Sequence, residues 1–318
     1  NFFGINIKCA LDNKKLSGKL MAIKSNIKKV DKNFILMNGD TFVDLNFKQY
    51  QYFFERNSLK CLSFFLEKKL SKEDKKRYYF KSFNKKNSVN SGIFFINKDL
   101  LKLIPVSNKN FDEEIIKLIK KRNDTCKILN LSNIKFIDIG IKKDFSFFKK
   151  NLDYFLKKKA LFLDRDGVIN QDLKYVHKTK DFFWRKDIFS FLKKVISKNY
   201  YIFVITNQSG IGRSYYSEKD FFKLNKWILN MLSSKGLHID DIAWSPYYKF
   251  SKKYNSSKFY KLRKPNSGMI DYLKKKWMID MKNSVFLGDS KVDEMLAKKT
   301  DLRFVKVNNN TKLKNITI

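Results

Sequence analysis

Short apolar runs alternate with amphipathic helical stretches along both halves of the chain. In the second half the apolar runs are KALFLD, NYYIFVIT and NSVFLG, and the stretches between them include DIFSFLKKVISK and EKDFFKLNKWILNMLSSKG. Strands that alternate with helices of this length are typical of parallel sheets. The pattern predicts an α/β fold of two domains, each a three-layer Rossmann-like sheet with helices on both faces.

A lysine-rich segment, KKNLDYFLKKK at 149–159, has few apolar anchors and separates the two patterns. We place the domain boundary there, with a first domain at 1–150 and a second at 158–318. A chain of 318 residues is long enough for two domains of ordinary size. The first residues already resemble the interior of a domain, so we expect further residues upstream of Asn1.

Several classes of protein are disfavoured by the sequence. No apolar run approaches the roughly 20 residues that a transmembrane helix needs, which predicts a cytoplasmic protein without a membrane partner. The cysteines Cys9, Cys61 and Cys126 lie far apart, so we expect reduced core residues rather than a disulfide framework or a zinc site. The oligomeric state is left open.

The formal net charge of +37 at pH 7 is carried mostly by lysines that are scattered along the whole length. A nucleic-acid surface would concentrate charge on one face and use arginine for bidentate phosphate contacts. The distribution therefore disfavours a dedicated nucleic-acid partner and favours attraction of anionic sugar phosphates. A binding module for nucleic acid or another polyanion remains an alternative, distinguished by steep salt dependence without enzymatic activity.

Polar residues follow each of the apolar runs of the second half. If these runs are strands, the polar residues lie at the carboxyl ends, which is where open α/β sheets bind ligands. These residues are Asp164 and Asp166 after the first run, Thr206 and Asn207 after the second, and Asp289 after the third. Carboxylate oxygens suit Mg²⁺, and the small-residue loop TNQSGIGR suits a phosphate. The alternative for the first pair is a strand end followed by a turn at Gly167.

The ordered blocks FLDRDGVIN, YVH, VITNQSGIGR, RKPNSGM and FLGDSKVDEM resemble the haloacid dehalogenase superfamily of phosphohydrolases. Within it the likeness is to the D-glycero-D-manno-heptose 1,7-bisphosphate phosphatases, over about 158–308. The resemblance implies removal of the 7-phosphate through an aspartyl-phosphate on Asp164, with Asp166 as general acid and then general base. Histidinol-phosphate phosphatase, a related family, is the alternative.

The same resemblance implies roles for further residues. Mg²⁺ would be held by Asp164, the Asp166 carbonyl and Asp289, with Asp293 supporting these ligands. The residues implied for phosphate and substrate are Lys264, Thr206, Asn207, Arg213, Arg263 and His177. For Arg213 and His177, ordinary surface-loop residues are an equal alternative.

Two departures from the family pattern bear on these roles. The segment before RKPNSGM lacks the Cys and His residues of the zinc loop that these phosphatases often carry, so zinc is not expected. Ser290 stands where the phosphatases commonly have a lysine, which implies a different positioning of the phosphate.

The first half carries a second resemblance. FILMNGDTFVDLNF and KFIDIG deliver Asp40 and Asp138 after apolar strands, and with VNSGIFFINKDLL between them they resemble sugar-1-phosphate nucleotidyltransferases over 1–150. This implies Mg²⁺ at both aspartates and a nucleoside triphosphate partner. The glycine-rich nucleotide loop of that family does not occur in this chain, which fits an incomplete N-terminus. A protein that acts mainly as a nucleotidyltransferase is therefore a further alternative.

Overall fold

The computed structural model describes residues 19–67, 88–104, 111–122, 124–132 and 134–318. The chain divides into two compact units, 1–150 and 151–318. Cys9 and the predicted domain interior at the start of the chain lie outside the described residues. The predicted α/β class is confirmed. No described helix is long and apolar enough to cross a bilayer.

The first unit is built around a mixed sheet. Its described strands are β1 (Asn33–Met37), β2 (Thr41–Val43), β3 (Cys61–Glu67), β4 (Ser88–Asn97), β5 (Cys126–Leu131) and β6 (Phe136–Asp138). Its described helices are α1 (Lys19–Ser25), α2 (Phe47–Arg56), α3 (Phe111–Lys121) and α4 (Lys142–Lys150), with 3₁₀ turns at Ile27–Lys29 and Lys98–Leu103. The sheet order is β1-β4-β3-β5, with β3 and β5 parallel and the other pairs antiparallel, while β2 and β6 pair separately.

The first unit packs apolar side chains on both faces of its sheet. Successive residues of a strand point to opposite faces, and Phe94 joins one apolar cluster while its neighbour Phe95 joins another. Helix α3 covers the first of these faces and helix α2 contributes to the second. Cys61 and Cys126 lie opposite each other in the adjacent strands β3 and β5. Both are buried in the core, as predicted, and both are free thiols.

The second unit is built around a five-stranded sheet. Its strands are β7 (Ala160–Leu163), β8 (Tyr201–Asn207), β9 (Asp241–Ser245), β10 (Val285–Gly288) and β11 (Arg303–Lys306). Its helices are α5 (Leu152–Leu156), α6 (Ile188–Ser197), α7 (Ser209–Gly212), α8 (Glu218–Ser234), α9 (Ser257–Leu262), α10 (Gly268–Lys276) and α11 (Lys291–Lys299), with 3₁₀ turns at Thr179–Asp181, Met281–Asn283 and Leu313–Asn315. The strand order is β11-β10-β7-β8-β9, and every pair is parallel.

Strand β7 lies in the middle of this sheet and is buried on both faces. Leu161 and Leu163 belong to one apolar cluster, and Ala160 and Phe162 belong to the cluster on the other side. Because β7, β8 and β10 are adjacent and parallel, their carboxyl ends meet at one edge of the sheet. The polar residues that follow these strands therefore lie close together.

Candidate active site

A cavity of about 400 Å³ lies at the carboxyl ends of β7, β8 and β10. It brings together predicted site residues from four separate sequence blocks. These are Asp164, Asp166, Thr206, Asn207, Lys264 and Asp289. The remaining walls come from Asp172, Lys174, Tyr175, Gln208, Ser209, Tyr216, Ser290 and Val292.

Lys264 links two carboxylates at the base of this cavity. Its Nζ lies 2.8 Å from Oδ2 of Asp164 and 2.6 Å from Oδ1 of Asp293. The lysine is 3% exposed and Asp293 is fully buried, so these charges have little contact with water. Oδ1 of Asp164 accepts a hydrogen bond from the backbone N–H of Arg165 at 2.7 Å. The Asp164 carboxylate is thereby fixed in orientation from two sides.

Helix α11 holds Asp293 in place through its N-terminal cap. Ser290 and Asp293 form a capping box, in which Oδ2 of Asp293 accepts from Ser290 Oγ at 2.6 Å and from the Ser290 N–H at 3.1 Å. Both oxygens of Asp293 therefore have partners, since Oδ1 faces Lys264. Ser290, the departure from the family pattern, orients the aspartate that supports Lys264.

Asp164, Asp289 and Asp293 bring ligand oxygens to within 4.8 Å of one another. Asp164 and Asp289 lie in the cavity wall, whereas Asp293 is fully buried and held by Lys264 and Ser290, so Asp164 and Asp289 are the carboxylates accessible to an ion. Oxygen ligands of this kind suit Mg²⁺, which binds through few carboxylates and retains water. The residues present therefore fit a magnesium ion between β7 and β10.

The pKa values of the charged groups in this cluster also favour a bound cation. Burial raises the pKa of Asp164 to about 7, and the effect of Asp293 adds to this, while Lys264 opposes it. Burial and Asp293 also raise the pKa of Asp289. Burial alone would lower the pKa of Lys264, but Asp164 and Asp293 raise it above its usual value. A divalent cation would relieve the repulsion between the clustered carboxylates.

Gly167 allows the turn after Asp166 to approach Asp289. Its φ is +85°, and a Cβ built there would overlap the Asp289 carboxylate. Both observations require glycine at this position. Arg185 supports the turn by donating from Nη1 to the Gly167 carbonyl at 2.7 Å.

The Asp166 carboxylate accepts hydrogen bonds on both oxygens. Arg165 reaches it with Nε and Nη2, the shortest contact being 2.9 Å to Oδ2. Asn170 Nδ2 donates to Oδ1 at 2.9 Å, and Gln208 Nε2 donates to Oδ2 at 3.2 Å. Arg165 is itself 1% exposed and also donates to the Val176 carbonyl. The Asp166 side chain is therefore held in one orientation in the cavity wall.

Thr206 and Asn207 lie at the end of strand β8 in the cavity wall, and the structure gives each a partner. Thr206 Oγ1 accepts from Gln208 Nε2 at 2.8 Å. The Asn207 amide brackets the backbone of Lys264, accepting from its N–H at 3.0 Å and donating to its carbonyl at 3.2 Å. Asn207 thus fixes the segment that carries the lysine.

Arg213, Arg263 and His177 lie outside the walls of the cavity as the structure describes them. The Arg213 guanidinium lies 4.0 Å from the centre of the Tyr248 ring, and Arg263 donates to the Tyr247 carbonyl at 3.3 Å. Burial and the neighbouring Arg213 lower the pKa of Arg263. The His177 ring stacks on Tyr216, a wall residue, at 4.7 Å.

In the first unit, Asp40 and Asp138 come close to each other. Asp40 lies in the turn between β1 and β2, and Asp138 ends β6 opposite Thr41. A Cβ built at Gly140 would meet both carboxylates, and the Gly140 N–H donates to Asp138 at 2.9 Å. The two aspartates that the sequence paired across the first half are therefore neighbours.

Sequence reasoning missed several side chains that contact the predicted residues. Arg165, Asn170 and Gln208 surround Asp166, and Tyr216 donates to Gln208. Gln208 ends the same polar run as Thr206 and Asn207, which was the available signal. Tyr216 gives no such signal, because two adjacent tyrosines in a loop do not by themselves indicate a functional site.

Comparison with known proteins bears on the second unit. Residues 159–310 match the model of the polynucleotide kinase 3 phosphatase family. The chain is 42% identical over 147 residues to the D-glycero-alpha-D-manno-heptose-1,7-bisphosphate 7-phosphatase of Campylobacter jejuni, across 46% of this chain and 80% of that protein. The chain therefore belongs to the heptose-1,7-bisphosphate 7-phosphatase family.

The relatives that resemble the chain include phosphatases named for the alpha anomer and phosphatases named for the beta anomer of the substrate. The D-glycero-beta-D-manno-heptose-1,7-bisphosphate 7-phosphatase of Rhodopseudomonas palustris is 38% identical over 142 residues, covering 45% of this chain and 79% of that protein. A solved structure of the D,D-heptose 1,7-bisphosphate phosphatase from B. bronchiseptica, complexed with magnesium and phosphate, is 22% identical. The match covers 48% of this chain and 82% of the chain in the solved structure, with a TM-score of 0.42. The predicted phosphatase resemblance of the second half is confirmed, and the nucleotidyltransferase resemblance of 1–150 stays a prediction.

Proposed function

We propose that the second unit is a Mg²⁺-dependent phosphatase that removes the 7-phosphate of D-glycero-D-manno-heptose 1,7-bisphosphate through an aspartyl-phosphate on Asp164. The observation that carries this proposal is the Asp164 carboxylate in the cavity wall, oriented by Lys264 and the Arg165 N–H and adjacent to Asp289. Membership of the heptose-bisphosphate phosphatase family supports the substrate.

In the first step a carboxylate oxygen of Asp164 forms a bond to phosphorus, and the bond from phosphorus to the sugar oxygen breaks. Asp166, protonated for this step, gives its proton to the leaving sugar oxygen, so that the sugar departs as an alcohol. Lys264 lies 2.8 Å from Asp164 and offsets negative charge as the phosphoryl group arrives.

In the second step water attacks the phosphorus of the aspartyl-phosphate. Asp166, now a carboxylate, takes a proton from that water, and the bond from phosphorus to Asp164 breaks. Inorganic phosphate leaves, and both aspartates return to their starting states. One residue thus serves as acid and then as base.

Asp164 and Asp289, with the backbone carbonyl of Asp166, would hold the magnesium ion. When bound, such an ion neutralises charge on the nucleophile and on the phosphate oxygens, which otherwise repel each other. Asp293 acts through Lys264 and Ser290 rather than on the ion.

Arg213 and Arg263 are proposed to hold the second phosphate of the substrate. The pKa of Arg263 is lowered by burial and by Arg213, so the two guanidiniums are close enough to repel each other. Within the described chain neither of them forms an ion pair with a carboxylate. Tyr175, which also acts on the pKa of Arg263, lies in the cavity wall. A dianion bound between the two guanidiniums would relieve this repulsion.

The test is phosphate release with Mg²⁺ from the α and β anomers of heptose 1,7-bisphosphate, with histidinol phosphate as the comparison substrate. Fast release from one heptose anomer supports the proposal and identifies the anomer. Release from histidinol phosphate alone would assign the chain to the alternative substrate. Asp164→Asn should abolish turnover while the folded protein remains, because an amide cannot form the aspartyl-phosphate, and retained turnover would contradict the nucleophile assignment.

For the first unit we propose Mg²⁺ and nucleoside triphosphate binding at Asp40 and Asp138, as part of a sugar-1-phosphate nucleotidyltransferase domain. The observation that favours it is the approach of both carboxylates to Gly140. Calorimetric titration of the chain with Mg²⁺ and a nucleoside triphosphate, compared with Asp138→Asn, tests it. Binding that Asp138→Asn does not weaken would contradict the assignment.

A further inference from the structure

We propose that Gln208, oriented by Tyr216, is a positioning residue that aims the Asp166 carboxylate for proton transfer to the leaving sugar oxygen. This inference rests on the proposed phosphatase reaction. It assigns a purpose to two residues for which neither the sequence nor the proposed mechanism provides a role. Both lie in the wall of the cavity.

Gln208 is placed between Asp166 and Thr206 by the end of strand β8. It is 2% exposed, and its Nε2 donates to Oδ2 of Asp166 at 3.2 Å and to Oγ1 of Thr206 at 2.8 Å. Its backbone N–H donates to the Ser245 carbonyl on the neighbouring strand β9 at 2.7 Å. The residue is therefore fixed by backbone and side chain together.

Tyr216 decides which end of the Gln208 amide faces Asp166. Its hydroxyl donates to Oε1 of Gln208 at 2.6 Å, which leaves the amide nitrogen toward the aspartate. Burial raises the pKa of Tyr216, so the hydroxyl keeps its proton. The reversed amide would place its oxygen against the Asp166 carboxylate and its nitrogen against a hydroxyl that must then accept.

The bond from Gln208 selects one oxygen of Asp166. Arg165 and Asn170 contact Oδ1, and Oδ2 is contacted by Arg165 and Gln208. Loss of the Gln208 contact would leave Asp166 held by residues of its own turn alone. The carboxyl would then rotate away from the strand β8 side of the cavity, where Thr206 lies. Proton transfer is sensitive to such a change, because the acid must lie within hydrogen-bond reach of the leaving oxygen.

The test compares esters that differ in their need for an acid. Sugar phosphates release an alkoxide that requires a proton, whereas p-nitrophenyl phosphate releases a weakly basic phenolate that does not. The value of kcat/KM reports on cleavage of the ester bond, where the acid acts. Tyr216→Phe removes one hydroxyl and keeps the stack on His177. Gln208→Met removes the amide at similar length.

We expect both variants to lower kcat/KM for heptose 1,7-bisphosphate about tenfold, a fraction of what a general acid contributes, and to change the value for p-nitrophenyl phosphate less than about twofold. Tyr215→Phe is the matched control. Tyr215 is 57% exposed, and phenylalanine preserves its ring contact with Tyr175. The control should match the wild type on both esters, and all variants should show the wild-type melting temperature within a few degrees.

Equal losses on both esters would overturn the inference, because they indicate a structural or phosphate-binding role. Wild-type values for both Tyr216→Phe and Gln208→Met would also overturn it, while leaving the proposed phosphatase intact. A wild-type protein that hydrolyses neither ester would overturn the proposed function and this inference with it.

Discussion

Lys264 and Asp293 form a buried ion pair, with 2.6 Å between Nζ and Oδ1, although they come from separate sequence blocks. The pair holds the lysine beside Asp164, and the Ser290 cap holds the pair. A lysine with a pKa raised by both aspartates stays charged in the cavity. This arrangement supplies a fixed positive charge where the proposed reaction brings a phosphate.

Asp293→Asn is expected to weaken both the fold and the activity. Lys264 would lose one buried counter-ion, and the free energy of unfolding should fall by about 1–3 kcal/mol. The lysine would also be less well positioned, so turnover should fall at least about tenfold. Urea unfolding and phosphate release measure the two effects. Glu294→Gln, which removes an exposed pair with Lys298 on the same helix, is the control, and equal stability of the two variants would contradict the prediction.

Asp289→Asn is expected to stabilise the protein without metal and to abolish stabilisation by Mg²⁺. The pKa of Asp289 is raised in the folded protein, so this carboxyl group binds a proton more tightly in the folded state than in the unfolded state. Its contribution to stability is complete below the unfolded pKa of about 3.9 and is lost as the pH rises through the raised folded pKa. At pH 7.5 the neutral amide avoids that loss. In the presence of EDTA, the variant should therefore melt at a higher temperature than the wild type.

Thermal melting with EDTA and then with excess Mg²⁺ checks this prediction. Mg²⁺ should raise the melting temperature of the wild type and leave that of Asp289→Asn unchanged. Asp301→Asn, at an exposed position, should respond like the wild type. A Mg²⁺ response in Asp289→Asn equal to that of the wild type would rule out Asp289 as a ligand.

Gly167→Ala should cost more stability than Gly236→Ala. Both glycines have positive φ, at +85° and +71°, so alanine is strained at each by about 1–2 kcal/mol. Only at Gly167 does the added Cβ meet a neighbour, the Asp289 carboxylate, since the space at Gly236 is open. Denaturant unfolding should show the larger loss at Gly167, together with a weaker Mg²⁺ response. Equal losses would show that the turn and Asp289 are not closely packed.

Arg263→Met should raise KM for the bisphosphate about tenfold, the loss expected for one charge-assisted contact. p-Nitrophenyl phosphate has a single phosphate, so its KM should change less than about twofold by the same reasoning. Lys261→Met, at an exposed position on the preceding helix, controls for the change in net charge. A tenfold KM change for both esters would place Arg263 at the reacting phosphate instead.

Much of the second unit was predictable because its signals are local. The apolar runs around Leu161, Ile202 and Phe286 correspond to strands β7, β8 and β10, and amphipathic spacing predicted helices α6 and α8. The first unit was less predictable. Its strands β3 and β4 are buried and pair antiparallel, and a continuous apolar run does not reveal strand direction. The sheet there is mixed among the described strands.

The sequence by itself determined the class of the fold, the residues that end the strands, and the family to which the second unit belongs, because each is encoded in contiguous residues. Only the tertiary structure decided which side chains share a proton or a charge. It paired Lys264 with Asp293 and set Gln208 against Asp166. These contacts depend on strand order and on side-chain orientation, which arise from packing across the sheet rather than from spacing along the chain.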